Sequence, residues 1–121
     1  MSNDESDLPP LAEKRPVKRK RVLMGGVIVF DEGRGTFKCT IQDITPNEFP
    51  TGARIKAGDI PMMPKDVYLI NITERTAHPA HVVWVTRTGA GLSLSAAIPL
   101  DSTADPKLNY LKKILATHAP R

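Results

Sequence analysis

"TFKCTIQDITPNEFPTGARIKA", residues 36–57, sets two alternating segments around an irregular centre. Phe37, Cys39 and Ile41 fall on one side of an extended chain, and Lys38, Thr40 and Gln42 on the other. A period of two is the mark of a half-buried antiparallel strand. Residues 52–57 repeat it, with Ala53, Ile55 and Ala57 opposite Arg54 and Lys56. Between them, Asp43 to Gly52 holds two prolines, two threonines, Asn47 and Glu48 around a single Phe49. This centre reads either as a long turn or as one side of a ligand site.

The same pattern extends outward. Residues 25–31, "GGVIVFD", form a β-branched and aromatic run, and "EGRG" (32–35) behind it is a hairpin signal. "GDIPMMPKD" (58–66) is a proline-interrupted loop. "VYLINIT" (67–73) and "AHVVWVT" (80–86) are apolar on both faces and predict central, well-covered strands. After the turn "TG" (88–89), Leu92, Leu94, Ala96 and Ile98 alternate in a last strand, residues 90–98. A helix closes the chain. Asp105 suits its cap, Pro106 its first position, and Leu108, Leu111, Ile114 and Leu115 form one stripe. Six short strands and one helix predict a small all-β antiparallel barrel or sandwich, with the helix across an open end.

Length and composition fit one globular domain: 121 residues, 40% hydrophobic and 25% charged. No apolar run has the ~20 residues of a membrane span. The acidic start lacks the order of a secretory signal. The single cysteine, Cys39, excludes an internal disulfide and suits a reducing cytoplasm. Charge is unevenly placed. Residues 1–13 carry Asp4, Glu5, Asp7 and Glu13, whereas "KRPVKRKR" (14–21) carries six basic side chains. Residues 1–21 therefore read as a tail with a basic arm, and order is expected from about Val22, giving a domain over 22–118.

Two features carry binding chemistry. Arginines in the arm, Arg15, Arg19 and Arg21, grip phosphate with paired donors and stack on or bond to guanine. A solvated arm or a non-specific nucleic-acid contact explains the same residues. Asp43 and Thr45, two apart on a strand, point to one side and offer acceptors to a guanine edge or an arginine, and Gly52 allows close backbone approach. A turn stabilised by Asp and Thr side chains is the plainer reading. His78 and His81 are three apart and fall on opposite faces of a strand, so no metal site is expected. Trp84 reads as core or barrel rim, and Cys39 as a small buried hydrophobe. No nucleophile–base set or carboxylate pair makes a case for an enzyme.

Taken together, an arginine-bearing arm before the first strand and D-x-T…G-A-R between the second and third resemble the PilZ domain. "RVLMGGVIVF", "CTIQDIT", "GARI", "AHVVWVT" and "GLSLSAAI" follow in that family's order, from about Arg15 to Ile98. The resemblance implies a six-stranded β-barrel with a C-terminal helix that binds the bacterial second messenger cyclic di-GMP, without a cofactor. In the family, two arginines four apart in the arm contact phosphate and guanine, and D-x-S-x-x-G completes the pocket. Here the arginine pair is Arg15 with Arg19, or else Arg21 takes the second place and Val17 stands at the first. Asp43, Thr45 and Gly52 match the second motif, with Thr for Ser and four extra residues between Thr45 and Gly52. The expectation is a cytoplasmic cyclic di-GMP receptor that signals to a separate effector protein by ordering its arm. The alternatives are a PilZ-like interaction module that has lost the nucleotide and uses the loop around Phe49, and a nucleic-acid binder acting through the arm.

Overall fold

The structure, a computed structural model, describes residues 20–45 and 51–118. Seven strands run β1 (Lys20–Phe30), β2 (Gly35–Thr45), β3 (Thr51–Lys56), β4 (Asp66–Asn71), β5 (Thr76–Val85), β6 (Gly89–Leu94) and β7 (Ile98–Pro99). A 3₁₀ turn, Pro106–Leu108, leads into α1 (Asn109–His118). The strand order is β4-β1-β2-β3-β6-β5, all antiparallel, and β4 pairs with β5 to close a six-stranded barrel. Short β7 adds to the start of β5 through Thr76–Pro99 and Ala77–Ile98.

Alternation along each strand builds two separate apolar layers. Ile28, Cys39, Ile41, Ala53, Ile55, Leu69, Leu92 and Leu94 point inward and fill the barrel. Their neighbours Val27, Val29 and Ile70 point outward and pack under Leu111 and Leu115 of α1, together with Ala77 and Leu100. This explains why 67–73 is apolar on both faces: one face fills the barrel and the other meets the helix. The helix therefore lies on the outer wall of β1 and β4, not across an open end as the sequence suggested. Phe37, Ile60 and Met63 are partly buried and pack against the interior layer.

Local chemistry sets the connections. Phe30 pairs with Gly35 across the first hairpin, and Asp31 (φ 53°), Glu32 (φ 55°) and Gly33 (φ 96°) turn the chain in left-handed conformations. At the opposite side, Arg75 Nε donates to both carboxylate oxygens of Asp101 (2.9 and 2.7 Å), and Leu100 N donates to Arg75 O at 3.0 Å. These bonds tie the β4–β5 turn to the segment that delivers the helix. Asp105 accepts from Lys107 N at 3.0 Å with Pro106 behind it, as the sequence predicted, although the first turn is 3₁₀ rather than α.

Other boundaries moved. β1 begins at Lys20, so Lys20 and Arg21 belong to the barrel and not to the tail. The expected strand 90–98 ends at Leu94, and Ile98 starts β7. The second half of β5 is not covered: Val83, Trp84 and Val85 are 65%, 46% and 51% exposed.

Two outcomes follow from the layers. Leu111→Ala, at a fully buried site between helix and barrel, should lower unfolding free energy by about 2–5 kcal/mol in urea titrations. Burial pushes the Cys39 thiol up to about 12, so the folded chain keeps it protonated and unreactive at pH 8. Labelling by an aromatic disulfide should then proceed only at the rate of unfolding; fast stoichiometric labelling of native protein would contradict this placement.

Candidate functional site on the uncovered wall

With α1 on β1 and β4, the outer wall of β2, β3, β6 and β5 is left open. Its composition follows from register. Arg21, Asp43, Arg54, Gly91 and Trp84 are successive cross-strand partners and form one row. Thr45, Gly52, Ser93, His81 and Asp66 form the next. Ala53, Ala90 and Leu92, which flank these positions, point into the barrel. Asp43, Arg54 and Trp84 of the first row and Ser93, His81 and Asp66 of the second therefore lie on the outside.

Asp43 reaches this wall through an irregularity. Simple alternation from Ile41 would send it inward. However, Ile41 pairs with Ile55 and Asp43 with Arg54, so Gln42 is an extra residue in β2. The β-bulge turns Asp43 out. An equivalent irregularity lies in β5, where Val82 pairs with Leu92 and Trp84 with Gly91, leaving Val83 extra. Bulges of this kind re-aim a side chain beside functional sites.

Asp43 is 5% exposed and ion-paired to Arg54, whose Nη2 meets its Oδ2. Asp43 Oδ2 and Arg54 Nε are both buried, and neither makes a hydrogen bond besides this ion pair. A buried carboxylate oxygen and a buried guanidinium N–H are costly to leave unmatched. Glycine at position 91 makes the floor flat. A Cβ there would stand 2.2 Å from Trp84 Nε1, so the indole lies directly over the glycine. At the end of the second row, His81 Nδ1 lies 3.1 Å from Asp66 Oδ1, an exposed pair that orients the ring. A groove of about 550 Å³ adjoins this end, between the wall and α1, lined by Tyr68, Tyr110, His81 and Ser93 among others.

The structure thus brings together Arg21, Asp43, Thr45 and Gly52 of the expected site. The four residues added between Thr45 and Gly52 do not separate them: Thr45 and Gly52 are direct register partners. Arg15 and Arg19, and the loop 46–50 with Phe49, lie outside the described residues. His78 and His81 face opposite sides, as expected: His78 pairs with inward Leu69, and His81 with Asp66. Among the described residues no group of three His, Cys, Asp or Glu is placed to hold a metal, and no helix is long and apolar enough to cross a membrane.

Sequence reading missed Arg54, Ser93 and Trp84. Arg54 was legible as the outward residue of an alternating strand. Trp84 was not, because the bulge at Val83 cannot be seen in the local pattern. No family model matches the chain, and no curated protein matches its sequence.

The ion pair predicts energetic coupling between its members. In a double-mutant cycle of Asp43→Asn and Arg54→Leu, unfolding free energies should give a coupling of about 1–3 kcal/mol, with Arg54→Leu alone the more damaging change because it strands a buried charge. Additive single effects would show that the two side chains do not depend on each other.

Proposed function

We propose that the protein is a cytoplasmic cyclic di-GMP receptor of PilZ type that acts on a separate effector. The observation that carries this reading is the row in which Arg21, Asp43 and Arg54 are cross-strand partners, with Thr45 opposite Gly52 one row further. A ligand with two phosphates and two guanines fits such a wall chemically. The Asp43 carboxylate accepts from the guanine N1–H and its amine. Guanidiniums from the arm and from Arg54 pair with phosphate. In sequence, the arginine-bearing residues 14–19 directly precede Lys20, the first residue of β1. Ordering the arm on the ligand lowers net affinity by about 2–5 kcal/mol, in keeping with a reversible signal.

Isothermal titration with cyclic di-GMP tests this. The intact chain should bind at micromolar Kd or tighter, and Asp43→Asn and Arg21→Ala should each weaken binding about tenfold or more, equivalent to ~1.4 kcal/mol. A flat titration of folded protein removes the receptor reading and leaves a PilZ-like module that works through protein contacts alone.

A further inference from the structure

The proline-interrupted loop makes a second feature, at the far end of β5. Past His81, which pairs with Asp66 at the start of β4, β5 continues to Val85 and pairs only with β6 among the described residues. On its other side the loop runs alongside and is bonded to its backbone at two points. Ile60 N donates to Arg87 O (2.8 Å), and Val82 N donates to Lys65 O (2.7 Å). Between these points no backbone bond joins the loop to residues 83–85 among the described residues. Composition gives the reason: Pro61 and Pro64 have no N–H to donate. The loop stands off, and a groove of about 550 Å³ separates it from the strand.

This groove gathers the exposed apolar surface of the barrel. Five large hydrophobic side chains are exposed among the described residues, and four of them, Met62, Val83, Trp84 and Val85, line it. Half-buried Ile60 and Met63 join the lining to the interior layer, against which they pack. An apolar surface of this kind with a polar rim marks an interaction site. Charge narrows the occupant. Lys65 and Arg87 are the charged residues that line the groove, and both are exposed. They stand at its opposite ends, beside Val82 and Ile60. A second copy meeting this face across a two-fold axis would set basic on basic. We infer that the groove takes an extended, acidic segment of another protein, with large apolar side chains at alternate positions between Asp or Glu residues. Laid along Val82–Val85, such a segment continues the sheet where β4 stops. Main-chain bonds to the strand hold it, and its alternate side chains fill the apolar groove. Its carboxylates meet Lys65 and Arg87 at the two ends. The inference holds with or without nucleotide on the polar wall and does not rest on the ligand reading.

Selection from a random-peptide display library on the full chain, with no nucleotide present, tests this. Enriched peptides should carry alternating large apolar residues flanked by Asp or Glu. A synthetic copy of one should shift the emission of Trp84, the only tryptophan in the chain, to the blue. Met62→Asp/Val83→Asp, at positions 96% and 65% exposed, should weaken its binding about tenfold or more. Lys65→Glu/Arg87→Glu should act in the same direction. Far-UV circular dichroism confirms that each variant keeps the barrel. A selection that yields no clone sensitive to the Met62/Val83 change overturns the inference, as do enriched peptides that are basic or lack carboxylates. Sedimentation that shows the chain dimerising by itself, with the Met62/Val83 variant monomeric, overturns it too, since a second copy then fills the groove.

Discussion

Closure of the sheet by β4 against β5 is the constraint on which the other features depend. Once Asp66–Asn71 and Thr76–Val85 are paired, the barrel has no free edge among its six strands. Inward positions are then mostly apolar and of suitable size, with buried Asn71 a polar exception. Outward positions are released from that demand. On β1 and β4 they are apolar, and the helix covers them. On β2, β3, β6 and the middle of β5 they are polar or small, and the helix does not cover them. The division of the surface into a structural half and a chemical half follows from where one ten-residue helix lies.

Much of this was legible in the sequence because it rests on period. Alternation at Phe37, Cys39 and Ile41, and again at Ala53 and Ile55, located strands that the structure contains with the expected inner face. The stripe Leu108, Leu111, Ile114 and Leu115 located the helix face. What the helix packs against was not legible. Two-sided apolar strands are equally compatible with a sandwich, a covered barrel or a capped one, and only the closed topology selects among them. Within the site, Asp43, Thr45 and Gly52 were found by their residue types. That they stand together despite the long 46–51 connection is a property of register, which sequence separation does not reveal.

Asp43 and Arg54 occupy an intermediate position between scaffold and site. Their pairing crosses β2 and β3 and so contributes to the wall, yet it leaves one buried acceptor and one buried donor unmatched. A purely structural ion pair would be expected to satisfy both.

The extra residues Gln42 and Val83 have a consequence for how the protein can vary. Each reverses the parity of its strand. Residues before it obey one inside–outside assignment, and residues after it obey the opposite one. Asp43 and Trp84 owe their place on the outer face of their strands to this reversal more than to their own chemistry. The sidedness of the wall is therefore encoded in residue count. Substitution at Gln42 or Val83 leaves it intact, whereas loss of either residue would direct a carboxylate or an indole into a filled interior. Divergence in these two strands is accordingly free in identity and strict in length.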